Sequence, residues 1–144
     1  MDTTAFVKQI HKLPGYRGQV VHVQRLKARR ARYGSLDRAL PPALQADLRA
    51  IGASKLFSHQ AQAINSVRAG QHVILSTGTA SGKTLAYNIP VLEALLANSR
   101  ARALYLFPTK ALAHDQLRGL RDLAQHGPDS SRFGTYDGDT PRGV

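Results

Sequence analysis

Apolar and polar positions follow two different rhythms along this chain, and the change comes at Leu56. Beyond it, short apolar runs alternate with segments of helical spacing. Ser58 stands where a helix over His59–Arg68 would be capped, and Gly70 where it would end. His72–Ser76 (HVILS) carries a short apolar run, as in a strand buried on both faces. A helix is predicted from Lys83 to about Ala97, with Pro90 inside it kinking it or removing one backbone bond. Ala103–Phe107 (ALYLF) predicts a second buried strand, closed by Pro108. Thr109 is placed to cap a helix reaching about Gln125, which Gly127-Pro128 breaks. Phe133–Tyr136 predicts a third strand. Strands separated by helices predict an α/β fold with a parallel sheet, covered on both faces and joined by right-handed crossovers.

Before Leu56 the pattern is looser. A short helix is predicted over residues 3–12, ending before Pro14-Gly15. Gln19–Leu26 (QVVHVQRL) partly alternates and is rich in valine, which predicts a strand. Lys27–Tyr33 reads as a basic connector. Pro41-Pro42 opens a helix through Ala50, with Gly52 as its stop. There is no internal repeat. The organisation expected is a basic extension over residues 1–40 and a folded α/β region over residues 41–144.

Composition changes the picture in one respect. Lys and Arg total 20 against 9 acidic residues, a net charge of +11. Such an excess favours a polyanionic partner, nucleic acid most often, although a solvated basic surface would account for it equally well. The cations crowd the first forty residues, where only Asp2 and Asp37 oppose them and where Tyr16 and Tyr33 interleave. Aromatic faces can stack on bases while Lys and Arg hold phosphates. With no cysteine, disulfides and thiolate-bound metals are excluded. No apolar run is long enough to cross a bilayer and the first residues lack a signal-peptide pattern, so no membrane association and a cytoplasmic location are expected. The six histidines form no ligand-like pair beside carboxylates.

The chemistry lies at the first strand-to-helix turn, Thr77-Gly78-Thr79-Ala80-Ser81-Gly82-Lys83-Thr84. A triphosphate needs many donors close together. Small residues let backbone N–H groups approach it, and the following helix points its positive end at the same spot. Lys83 is expected to reach the β- and γ-phosphates of ATP, and the Thr84 hydroxyl to ligate the accompanying Mg²⁺. Lys83 and Thr84 are thus the candidate catalytic pair. The usual first glycine is Thr77 here, with Gly78 one place later. A chance Gly-Lys-Thr at a helix start is the bland alternative. The strand before the loop and the long helix after it argue against that.

Two flanking segments extend the site. Leu56-Phe57-Ser58-His59-Gln60 precedes the loop. The Gln60 carboxamide can pair with both the N6 donor and the N7 acceptor of adenine, with Phe57 packing near the base. Phe107-Pro108-Thr109-Lys110-Ala111-Leu112-Ala113-His114-Asp115-Gln116 follows it. The Thr109 hydroxyl and the helix start can donate to a phosphate, and Lys110 adds charge.

Together with Tyr136-Asp137-Gly138-Asp139-Thr140-Pro141, these segments resemble the superfamily 2 DEAD/DEAH-box helicases, most of all the bacterial YprA-like group related to a eukaryotic RecQ-like group. The resemblance covers about residues 18 to 141. It implies a RecA-like P-loop NTPase domain with ATP and Mg²⁺ as cofactors. It also implies that Gln60 reads adenine and that Pro108, Thr109, Lys110 and Gln116 lie on a nucleic-acid strand. The partner expected is single-stranded or partly duplex DNA rather than RNA. These helicases hydrolyse ATP with a DExH/D box, and no Asp-Glu pair occurs in this chain, whose only glutamate is Glu93. The chain is therefore expected to be a fragment of the first RecA-like domain that binds ATP without turnover and is poorly soluble through an unpaired sheet edge. Two other readings stay open: a basic nucleic-acid-binding module with a vestigial nucleotide site, and a non-helicase P-loop transferase.

Overall fold

The computed structural model describes residues 2–27, 30–129 and 132–141. The chain divides into two compact units, residues 1–30 and 31–144. In the first, helix α1 (Thr3–Ile10) starts where Asp2 accepts a hydrogen bond from the Thr4 N–H at 2.9 Å. None of its residues is buried. The strand predicted over Gln19–Leu26 does not form, and Val21 and Leu26 lie in solvent. A single extended segment has no ladder to join unless another backbone is brought beside it.

The second unit holds α2 (Pro42–Ala50), α3 (Ser58–Arg68), α4 (Lys83–Ala97) and α5 (Lys110–Asp122). Pro42 needs no donor in the first turn of α2. Gly52, with φ +74°, ends that helix. The cap of α3 differs from the expectation. The helix begins at Ser58 itself, and the side chain that serves its first turn is Gln60, whose Oε1 accepts from the Phe57 N–H at 2.7 Å. Pro90 leaves α4 continuous, because Ile89 and Leu92 beside it are fully buried and fix the helix against the core. Thr109 caps α5 as expected, its hydroxyl accepting from the Leu112 N–H at 3.2 Å. Leu44, Leu48, Ile64, Ile89, Leu92, Leu120 and Leu123 from the four helices and their flanks form one core.

Among the described residues no strand is paired into a ladder; one isolated antiparallel bridge joins Tyr33 to Phe57. The expectation of strands buried on both faces also needs correcting. Leu75 and Thr77, Tyr105 and Phe107, and Phe133 and Thr135 are half-buried, while the residues between them are exposed. This is the period-two pattern of a one-sided pleat. Its outer positions are bare: Ile74, Leu104, Leu106 and Tyr136 are 98, 86, 84 and 90% exposed. Helices cover one side of these segments and nothing described covers the other.

Two polar links tie the helices together. Arg68 at the end of α3, its side chain 3% exposed, donates to both Glu93 oxygens at 3.0 and 2.7 Å, to Asp37 and to the Arg38 carbonyl. Hydrogen bonding to Glu93 and Asp37 raises the Arg68 pKa against the cost of burial. The same guanidinium holds the Asp37 carboxyl below the usual carboxylate range. Asp37 thus contributes stability above that range and loses it as pH falls through its folded pKa. Asp47 of α2, 1% exposed, accepts from the His126 backbone N–H at 3.0 Å and from its Nδ1 at 2.6 Å. His126 is therefore anchored at one nitrogen, not simply a surface residue.

Candidate functional site

The segment between residue 76 and α4 closes on itself. Ala80 has φ +56° and Gly82 has φ +75°. The left-handed region costs an L-residue about 1–2 kcal/mol, so strain at Ala80 is part of the loop's shape. Gly82 occupies the cap position of α4, directly ahead of Lys83 and Thr84. Thr77 Oγ1 and Ser81 Oγ lie 2.6 Å apart. The Lys83 ammonium folds back inside the turn. It donates to the Thr77 and Gly78 carbonyls at 2.8 and 2.6 Å, and approaches the Thr77 and Ser81 hydroxyls at 3.2 and 3.4 Å. Four oxygens around one ammonium at the start of a helix are the kind of set that phosphoryl oxygens can replace. Thr79 is exposed on the outside of the turn.

Helix α3 braces this loop from behind. Gln60, 2% exposed, donates from Nε2 to the Gly82 carbonyl at 2.7 Å while its Oε1 holds the Phe57 N–H. Both ends of the carboxamide are engaged, so a base pairing with Gln60 has to displace two bonds. His59 Nε2 donates to the Ser81 carbonyl at 2.9 Å. The rings of Tyr33, Phe57 and His59 form a stacked column, with centroids 5.5 and 5.8 Å apart and planes within 7° and 9°. His59 is not distinguished by the sequence, although its place immediately before Gln60 is a signal. Tyr33 reads from the sequence only as an aromatic within the basic stretch, and nothing there places it against Phe57.

Further along, Phe107 stacks on Tyr105 with centroids 6.1 Å apart, and Pro108 leads exposed into α5. Burial, with a smaller effect of Tyr87, pushes the Tyr105 phenol well above its ordinary pKa. Thr109 spends its hydroxyl on the helix cap, and Lys110 pairs with Asp139. His114 Nε2 lies 3.6 Å from Asp137. Thus Thr109, Lys110 and the 137–140 turn make one charged patch. Gln116 is not in it. Its Oε1 accepts from the Tyr87 hydroxyl at 2.7 Å and lies 3.4 Å from Thr84 Oγ1, on the side of the phosphate loop.

Among the described residues no three His, Asp or Glu side chains gather as a metal site. No described helix is long and apolar enough to cross a membrane.

The family profile of the DEAD/DEAH box helicases matches residues 57–142, from the middle ring of the aromatic column past the 137–140 turn. The chain is 41% identical over 140 residues to the ATP-dependent helicase hrq1 of Schizosaccharomyces pombe, a match over 94% of this chain and 13% of that protein. It is 41% identical over 122 residues to the uncharacterized ATP-dependent helicase YprA of Bacillus subtilis, over 84% of this chain and 16% of that protein. The crystal structure of the DUF1998 helicase MrfA bound to DNA and AMPPNP superposes with a TM-score of 0.73 at 38% identity, over 81% of this chain and 16% of that one. The chain spans between 13 and 16% of the length of these relatives. The match covers more than half of this chain, and on that ground the chain belongs to the DEAD/DEAH box helicase family.

Proposed function

We propose that this chain supplies the ATP-binding face and part of the strand-binding face of an ATP-dependent DNA helicase. The observation that carries the reading is the ammonium of Lys83, surrounded by loop oxygens at the start of α4. With ATP bound, Lys83 would hold its phosphates in place of those oxygens, Thr84 would be the ligand for Mg²⁺, and the backbone N–H groups of Thr77–Gly82 would line the phosphates. Gln60, beside Gly82, is the group for adenine once it exchanges its present bonds. Pro108, Thr109 and Lys110 meet the strand. DNA is preferred to RNA because MrfA is a helicase crystallised with DNA. In the whole protein, ATP hydrolysis would drive movement along the strand. The alternation of the segments 72–77, 103–107 and 133–136 with α4 and α5 supports a parallel RecA-like sheet, with residues 1–40 as a basic extension and residues 41–144 as the first part of the nucleotide-binding domain.

A fluorescent ATP analogue titrated with Mg²⁺ tests the reading. Lys83→Ala removes a charge-assisted contact of about 1.5–3 kcal/mol, so its affinity is expected to fall by roughly tenfold to a hundredfold. Equal affinities for the two proteins would refute it. The second reading, a strand-binding module with a vestigial nucleotide site, is favoured by the full engagement of Lys83 and Gln60 within the chain. It predicts no analogue binding at all, with strand binding intact in Lys83→Ala. Family membership removes the transferase reading.

Lys110 carries a further expectation. A strand phosphate has to compete with Asp139 for it. Asp139→Asn is therefore expected to tighten single-stranded DNA binding severalfold at low salt, consistent with about 1 kcal/mol for an exposed pair. Asp115→Asn changes net charge equally on an exposed face of α5 and should do less. Fluorescence anisotropy on both variants decides: equal gains would assign the effect to net charge alone.

A further inference from the structure

Gln116 belongs by sequence to the strand-binding segment, yet its carbonyl oxygen is where two hydroxyls from α4 converge. Thr84 and Tyr87 stand three residues apart, on one face of that helix. Tyr87 donates to Gln116 Oε1 at 2.7 Å, Thr84 Oγ1 lies 3.4 Å from the same atom, and the two hydroxyl oxygens are 3.5 Å apart. An amide oxygen has two lone pairs and can take both protons. Gln116 is half-buried on α5 and crosses to α4 at this one point.

The chemistry of Thr84 gives this arrangement a purpose. A threonine hydroxyl has one proton and two lone pairs. A hard cation takes a lone pair and repels the proton. If the proton has no acceptor on the far side, it is free to rotate toward the cation. With Gln116 Oε1 holding it, both lone pairs turn toward the loop that Lys83 closes. Such an outer partner fixes the ligand's orientation without touching the metal. We infer that Gln116 is a positioning residue for the Mg²⁺ arm of the nucleotide site, steadied in turn by the Tyr87 hydroxyl. This rests on the nucleotide-binding reading above and deepens it. It also moves Gln116 from the strand to the nucleotide.

The test is an analogue titration performed twice, in Mg²⁺ and in EDTA. Gln116→Met keeps length and helix preference but removes the acceptor. Its affinity in Mg²⁺ is expected to fall about tenfold, the effect of losing an outer partner of a metal ligand, while its affinity in EDTA stays that of the wild type. In a Thr84→Ala background the same change should cost nothing further. Gln116→Glu retains an acceptor oxygen and should keep the wild-type response to Mg²⁺, which leaves a readout if the Met variant does not fold. A Met variant that binds Mg²⁺-analogue normally, one that loses equally in EDTA, or a Glu variant that loses its Mg²⁺ response would overturn the assignment while the nucleotide site stands. A wild-type protein that binds the analogue in neither condition would overturn the site itself and this inference with it.

Discussion

Replacing Arg68 with methionine is expected to lower the free energy of unfolding by about 3 kcal/mol, the lower end of the range for breaking a buried ion pair. The guanidinium bonds to Glu93, Asp37 and the Arg38 carbonyl from a position only 3% exposed. Without it the Glu93 carboxylate, 12% exposed, keeps its charge on α4 with no counterion. The 12% of the Glu93 side chain that faces solvent eases the loss of its counterion and keeps the cost at that lower end. Adding Glu93→Leu should recover much of the loss, since removing both charges is far less costly than removing one. Urea denaturation supplies the measurement, and a single variant within about 0.5 kcal/mol of wild type would show the bridge to be marginal. Acid should narrow the gap. Arg68 depresses the Asp37 pKa, so the wild type loses that contribution as pH falls through the folded value, and the variant has none to lose.

Gly82→Ala should be about as damaging, by a different route. A side chain at φ +75° costs about 1–2 kcal/mol. The new Cβ would also lie 2.6 Å from Gln60 Nε2. A surface glutamine would swing aside. Gln60 is buried and bonded at both ends, so moving it sacrifices its bond to the Gly82 carbonyl, about 1 kcal/mol more. The sum, roughly 2–3 kcal/mol, should appear in denaturation and should weaken the ATP analogue as the loop loses its shape. Gly78→Ala is the control. Its Cβ would meet nothing within 4 Å and its φ is not positive, so little stability should be lost. Equal losses for the two would undermine the account.

What the sequence made legible was local. Pro42 and Gly52 around α2, Thr109 ahead of α5 and the Gly82-Lys83-Thr84 turn act within a few residues, so their consequences can be read from neighbours. Partnerships over long separations could not be read. Arg68 and Glu93 are 25 residues apart, and Asp47 and His126 are 79 apart. The apolar run at 103–107 was legible as strand chemistry. Which backbone pairs with it, and whether its outer face is covered, depend on segments elsewhere. Gln60 shows the limit within the site. Its residue type marked it out, but its two bonds to Phe57 and Gly82 come from how α3 meets the loop.

The folded-back Lys83 has a consequence for selectivity. The loop closes on its own lysine, whose ammonium is satisfied by carbonyls of its own chain. A newcomer gains little by supplying ring contacts alone; it must outbid neutral oxygens with charged ones. Adenosine has nothing to trade for that ammonium and should leave it where it lies, whereas a diphosphate already can.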